Sequence, residues 1–454
     1  MNESEKQFSF TRAASITSGR AKPNSHQSKT SRRFLTQLLP CMGLAWALAA
    51  CSRTPSLDSN WSVPVVFTNA ECHFLAKWNR TLLSRQTNST WLVLRSDGSN
   101  WTKIQIPGSE GYSPVALSLT EESGLLGRWK LTPEKDQLDI SFLRIAASPD
   151  GLPRRAGTTS PARLRRIAIF GGTTNNTPPF LRFGLGTGCG SGVCAGDKML
   201  VSYQAETEIV RISSSGTVQT AMGNNPAEVG VLWSSNNGAT WERTKVFGFE
   251  NWRVATFATR ASVYLLTDDR GSQLWSAACS STGIASWSGG ELLAKTMAPD
   301  GFACEATDDT LHVCWMDNRR KSGLGFFEYG DLVLNNRNHQ VYYRHKQDGK
   351  ATWSKERLLS GTLSFVGSPA ISAEGTKVVV AWQHRPGREV NPDAGIYFAT
   401  SQDNGTTWSK VKRVTGYDEP SAASPRVALL GETIHLFYSQ SGTAVYRRRA
   451  FPMQ

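Results

Sequence analysis

Ser401-Gln402-Asp403-Asn404-Gly405-Thr406-Thr407-Trp408-Ser409 places Ser, Asp, Gly and Trp at the spacing S-x-D-x-G-x-x-W. Each residue type has a job in a tight hairpin. Gly tolerates the positive φ that such a turn demands. An Asp or Asn side chain accepts bonds from turn N–H groups and closes an Asx-type turn. The Trp buries a large ring beneath the turn while its N–H still finds a partner. The pattern is therefore a local folding device and not a reaction centre.

The unit recurs. Ser234-Ser235-Asn236-Asn237-Gly238-Ala239-Thr240-Trp241 keeps the spacing with Asn for Asp. Degraded copies lie at Asp348-Gly349-Lys350-Ala351-Thr352-Trp353, at Ser96-Asp97-Gly98-Ser99-Asn100-Trp101, and at Ser280-Ser281-Thr282-Gly283 with Trp287. A β-branched or aromatic run precedes each of four copies: Trp91–Leu94, Val229–Trp233, Gln340–Tyr343 and Gly395–Ala399. Two further runs lie upstream, Leu311–Trp315 and Lys377–Trp382. The Trp residues 287, 353 and 408 are 66 and 55 residues apart, the length of a four-stranded unit with its loops. An all-β β-propeller of four-stranded blades is expected, the motif joining strands three and four.

Boxed blades are expected near residues 72–105, 196–247, 253–291, 301–357 and 367–412, with a boxless one at 113–145. The last run, Pro425 to Arg449, is expected to be completed by Trp61–Thr68. Six blades is the preferred count and seven the alternative. Residues 146–190, rich in Pro, Gly and Arg, read as an insertion within a propeller spanning 61–454. Composition agrees: 15 Trp and 40 Gly in 454 residues suit many tight turns with one Trp per repeat.

The first fifty residues read as an export address. Arg32-Arg33 precedes an apolar stretch from Phe34 to Ala50, a twin-arginine-like signal. Leu48-Ala49-Ala50-Cys51 resembles a bacterial lipobox, which implies lipidation of Cys51 and a linker over 51–60. The resemblance also implies anchorage in the envelope, with Ser52 favouring the outer membrane. Six cysteines remain beyond the signal, and Cys304 and Cys314 are placed to face each other across a hairpin, with unpaired buried thiols as the alternative. No Cys/His cluster has zinc spacing, so neither metal nor cofactor is expected. Of the formal net charge of +13, residues 1–50 carry +5, leaving a net +8 for the rest. That bias suits acidic glycans or lipid headgroups. Nucleic acid is not expected as a partner, because no motif for it is present.

In such blades the loops joining strands two to three, and one blade to the next, share the rim opposite the motif turns. Loops on a rigid scaffold are where sites sit. Three second strands end in a related pattern: Trp315-Met316-Asp317-Asn318-Arg319, Trp382-Gln383-His384-Arg385 and Leu266-Thr267-Asp268-Asp269-Arg270. An Asp–Arg pair at a strand end is equally a means of tying down a loop.

Residues 61–450 resemble the sialidase superfamily of Asp-box (BNR-repeat) propellers, especially its bacterial exo-α-sialidase-like members. The resemblance implies three Arg that clamp a substrate carboxylate, a Tyr nucleophile paired with a Glu, and an Asp acid/base. On this chain it points to Arg319, Arg385 and Arg426 for the clamp, and to Asp317 for the acid/base. Tyr438, in Tyr438-Ser439, is the nucleophile candidate, with Glu328 or Glu419 as its partner. Tyr438 reads equally as a core strand residue. The family's early F/Y-R-I-P motif is absent near Trp61–Cys72. Three functions remain open: an exo-glycosidase acting on sialic acid or a related glycan, a non-catalytic surface module binding glycan or protein, and an envelope scaffold. A clustered set of Arg with a Tyr–Glu pair in hydrogen-bond reach distinguishes the first.

Overall fold

A computed structural model describes most of residues 55–452. Residues 1–54, 166–191, 318–338, 386–392 and several shorter turns lie outside the described set. Residues Thr54–Gln454 form one compact unit. All regular structure described is β.

Among the described residues, seven sheets of four or more strands follow one another in sequence. The first holds Cys72–Trp78, Thr81–Gln86, Trp91–Arg95 and Thr102–Ile104, in sequence order. The second is built on Ser113–Leu117, Ser123–Leu131 and Gln137–Ala147. The third comprises Gly192–Ala195, Lys198–Ala205, Glu228–Ser234 and Glu242–Phe247. A small hairpin, Glu208–Ile212 with Val218–Met222, is inserted in it. The fourth runs Val254–Ala258, Ser262–Asp268, Gln273–Ser280 and Glu291–Lys295. The fifth runs Phe302–Ala306, Thr310–Asp317, Gln340–Gln347 and Arg357–Leu358. The sixth runs Val366–Glu374, Lys377–His384, Gly395–Ser401 and Lys412–Arg413. The seventh takes Ala423–Leu430, Thr433–Gln440 and Thr443–Ala450, and its outermost strand is Val65–Phe67 from the other end of the chain. The first strand of each sheet lies beside the first strand of the next, and that of the seventh lies beside Cys72–Trp78. This is the strand arrangement of a β-propeller.

The described residues hold seven sheets of four or more strands, where six blades was the preferred count and seven the alternative. The run from Ser113 builds a full sheet without the turn motif, as does the run from Ala423. The expected insertion at 146–190 is also partly strand. Pro153–Thr158 and Ala162–Arg165 both pair with Gln137–Ala147. Their Arg, Gly and Pro content hid the alternation that marks a strand.

The Ser401–Ser409 turn has the bonding its residue types require. The Ser401 hydroxyl donates to Asp403 Oδ1 at 2.8 Å and accepts from the Gly405 N–H at 2.8 Å. Asp403 accepts from the Thr407 N–H at 2.8 Å and the Thr407 hydroxyl at 2.6 Å. Burial raises the Asp403 pKa, but these bonds from Thr407 and Ser401 outweigh it and hold the carboxyl below its usual value. Gly405 stands at φ +82°, and the Trp408 indole donates to its carbonyl at 3.0 Å. At Ser234–Trp241, Asn236 takes the Asp role, accepting from the Thr240 N–H at 2.9 Å.

These turns also join neighbouring sheets. The Trp408 ring meets Tyr343 of the fifth sheet edge-on, with centroids 4.8 Å apart. Tyr343 is buried and donates to the Asn404 carbonyl at 3.3 Å. Its oxygen also lies 2.7 Å from His312 Nδ1. The seventh sheet repeats the arrangement. Trp101 of the first sheet meets Tyr446 at 5.3 Å, and Tyr446 lies 2.8 Å from His435 Nδ1. In the degraded copy, Asp348 accepts instead from Thr259 at 2.9 Å, in the turn joining the first two strands of the fourth sheet, and from Tyr264 of its second strand at 3.2 Å.

The buried His435 has a consequence for acid stability. Burial, and then Arg448, pulls its pKa down to about 4 from 6.5. The folded chain therefore keeps this imidazole neutral where the unfolded chain protonates it. Stability from this group is present above pH 6.5 and is lost as pH falls through about 4. A loss of about 3 kcal/mol is expected from a shift of this size at 1.36 kcal/mol per pKa unit. Thermal melts between pH 7 and 4 are expected to show a steeper decline for the parent than for His435→Gln. Parallel declines would exclude His435 as the source.

Apolar residues fill the spaces between sheets. Trp315, stacked on Tyr342 at 6.0 Å, and Trp382 are fully buried. Cys304 and Cys314 do not form the expected disulfide. Cys304 pairs with Val313 and Cys314 with Ala303. Adjacent positions alternate between sheet faces, so the two sulfurs lie on opposite sides.

The segment before Val65–Phe67 straps the sixth sheet to the seventh. The Asp58 N–H donates to the Arg413 carbonyl at 2.9 Å, and the Arg413 N–H to Ser56 at 3.1 Å. Trp61 sits edge-on against Phe398, with centroids 5.3 Å apart. Asp58 forms an ion pair with Arg449 of the last strand, and both side chains are almost wholly buried.

Candidate functional site

The predicted Tyr–Glu pair forms at the rim opposite the motif turns. Tyr438 lies in the second strand of the seventh sheet, and Glu419 in the loop entering that sheet. The Tyr438 hydroxyl donates to Glu419 Oε2 at 2.6 Å and accepts from Arg447 Nε at 3.0 Å. The other Glu419 oxygen takes the Arg447 Nη2 in an ion pair. That oxygen also accepts from the Gly416 N–H at 3.4 Å. Tyr438 is 1% exposed, and burial together with Glu419 pushes its phenol well above the usual range.

Strand register explains this burial. Thr433–Gln440 aligns with Thr310–Asp317 and Lys377–His384, each flanked by the same antiparallel partners. Tyr438 then occupies the position of Trp315 and Trp382. It faces the core between the sixth and seventh sheets, beside Ala381, Ile396 and Leu436. Of the two readings of Tyr438, the core strand residue describes its position. The same phenol carries the polar bonds that hold the Gly416–Glu419 loop down. Arg447 is a partner that sequence reasoning missed, because three successive Arg, 447 to 449, read as a solvated basic run.

The other described candidates lie on or next to other strands. Asp317 is fully buried at the end of its strand, as is Asp268, and His384 at the matching place is buried too. Arg385, directly after His384, is exposed. Arg426 is half-buried, and its Nη1 donates to the Pro425 carbonyl at 3.0 Å. A register shift between Ala423 and Arg426, with Ser424 at φ +50°, sets the direction of that side chain. Arg319, Glu328 and Cys51 lie outside the described residues. Among the described residues no cluster of His, Cys, Asp and Glu is suited to a metal ion.

A second arrangement on this rim surrounds Tyr417. Arg413 is fully buried, and its Nη2 donates to the Ala394 carbonyl at 2.7 Å and the Gly416 carbonyl at 2.9 Å. Its guanidinium carbon lies 4.2 Å from the centroid of Tyr417, a cation–π contact. Tyr417 is nevertheless 52% exposed. One face of the ring is seated on a fixed cation and the other is open. The exposed Asp418 is the next residue.

No family model matches the chain, and no curated protein does. Solved structures do show similarity. The Cps50 (Swd1) β-propeller domain of Myceliophteria thermophila is 8% identical with a TM-score of 0.45, over 86% of this chain and 98% of that one. YCF48 bound to D1 peptide is 11% identical with a TM-score of 0.42, over 87% and 97%. The NanB sialidase of Streptococcus pneumoniae is 12% identical with a TM-score of 0.34, over 87% and 69%.

Proposed function

We propose that the chain is an exported, lipid-anchored propeller that binds an acidic glycan at the rim carrying Tyr417, without hydrolysing it. The observation that carries this reading is the contrast between two tyrosines of the same rim. Tyr438 is closed off, its hydroxyl engaged by Glu419 and Arg447. Tyr417 presents an open ring face on a rigid base. An aromatic face stacks on the C–H face of a sugar ring, and nearby polar groups fix its orientation. Asp418 suits sugar hydroxyls, and the exposed Arg385 suits a carboxylate. The sialidase-like architecture and the net charge of the mature part agree with an acidic glycan.

Calorimetric titration with sialylated oligosaccharides tests the reading. Tyr417→Ala is expected to weaken binding about tenfold, equivalent to about 1.4 kcal/mol. Gly349→Ala, in a motif turn of the opposite rim, is expected to leave binding unchanged. An undiminished affinity in Tyr417→Ala sinks the proposal. One observation favours a hydrolase instead, the 2.6 Å bond between Tyr438 and Glu419, which is the pair a tyrosine nucleophile requires. On that reading a fluorogenic sialoside is turned over, and Tyr438→Phe abolishes the turnover.

A further inference from the structure

Five large hydrophobic side chains are exposed among the described residues, and four of them fall within ten residues of one another. Leu57, Val63, Val65 and Val66 all belong to the strap, and Val63 is 82% exposed. Apolar residues scattered singly over a surface need no explanation, but a concentration of them does. The strap forms the outer wall of the last two sheets. Leu57 lies beside Arg413 of the outermost strand of the sixth, and Val65 and Val66 are in the outermost strand of the seventh.

The exposed ionisable side chains that flank this edge on the last strand and beside Leu57 are basic. Residues 55–67 contain a single ionisable side chain, Asp58, and it is buried against Arg449. Arg448 is exposed and its backbone pairs with Ser62. Arg448 shares a sheet face with Tyr446, and so with Val65 opposite it. Lys410 is exposed and Lys412 half-buried, next to the strand beside Leu57. An apolar edge flanked by Lys and Arg matches the chemistry of an anionic bilayer, with apolar groups below the headgroups and cations level with them.

The position along the chain fits the same occupant. Leu57 follows Cys51 by six residues, a reach of at most about 20 Å when extended. A lipid on Cys51 would keep the strap at the bilayer surface. We infer that the outer edge formed by Leu57, Val63, Val65 and Val66 is a membrane-resting surface for anionic phospholipid. The propeller then lies on its side wall, with both rims open to solution and the Tyr417 rim accessible to glycan. The inference rests on the lipid-anchor part of the proposed function.

Vesicle flotation tests it, using the unlipidated chain Thr54–Gln454, which forms a compact unit by itself. With phosphatidylglycerol/phosphatidylethanolamine vesicles, the parent is expected to float and Val63→Asp/Val66→Asp to lose at least five-fold of the bound fraction. Both side chains are exposed, so the melting temperature of the double variant is expected to match the parent. A parent that stays at the bottom, or a variant that floats equally well, overturns the inference. So does protection of the two valines from hydroxyl-radical footprinting in the full chain without vesicles, which would assign the surface to residues 1–53. Acyl labelling in cells, with Cys51→Ser as control, reads the anchor separately. Flotation without labelling removes the anchor alone, and labelling without flotation removes the surface alone.

Discussion

Asp58→Leu is expected to destabilise the protein by about 3–5 kcal/mol, the usual cost of leaving a buried charge without its partner. Arg449 is enclosed by Phe398, whose ring centroid lies 5.2 Å from its guanidinium carbon, and by Asp58. Burial pulls the Arg449 pKa down, and Asp58 opposes that pull. Removing the carboxylate leaves the desolvation cost and no compensation. The double variant Asp58→Leu/Arg449→Met is expected to recover most of the loss, because apolar replacement of a whole buried pair is often neutral or better. Urea denaturation of the parent, the single variant and the double variant measures both effects. A single-variant loss below about 1 kcal/mol, the range of exposed pairs, would mean that the pair is solvated in solution.

Gly405→Ala is the second large effect, expected at about 3–4 kcal/mol from a positive φ together with overpacking. A Cβ at this position would stand 1.9 Å from the Tyr343 hydroxyl oxygen and 2.4 Å from the ring carbon bearing it. Tyr343 has no room to retreat, since it is fully buried and bonded to His312 and Asn404. Gly349 supplies the control within the same molecule. Its φ is +73°, but nothing lies within 4 Å of an added Cβ. Gly349→Ala is therefore expected to cost only the backbone part, about 1–2 kcal/mol. Equal losses at the two glycines would show that the Tyr343 contact contributes nothing.

Much of the blade structure was legible because its cause is local. Ser401, Asp403, Gly405 and Trp408 act within nine residues, so their spacing is visible in one line of sequence. What those turns dock onto was not legible. Tyr343 and Tyr446 sit in other repeats, and no spacing within a repeat points to them. A signal did exist, since Thr310-Leu311-His312 and Thr433-Ile434-His435 put His at the same place in two second strands. Each His bonds the Tyr that receives the next Trp. The site was less legible than the fold for a related reason. Tyr438 and Glu419 were both named from sequence, but only strand register shows that Tyr438 fills the position of a buried Trp. Tyr417, Arg413 and Asp58 carried no motif at all. A charged residue in a linker reads as solvated, and only tertiary packing makes Asp58 a core group.

The strap also sets the order in which the molecule can be completed. The Ser62 hydroxyl accepts from the Arg448 N–H across 386 residues of chain. Synthesis makes the outer strand of the last sheet before any of the strands it will join. Residues 55–61 can already dock on Phe398 and Arg413 of the sixth sheet, but Ser62 and Val65–Phe67 must wait unpaired until Thr443–Ala450 emerges, and contacts this distant in sequence form late and slowly. During that wait Val65 and Val66 have no native strand partner, so a nascent chain stalled before residue 443 is exposed to aggregation. Loss of the last strand should then leave Val65–Phe67 unpaired as well. The outermost strand of the seventh sheet and its neighbour mature as a single late event.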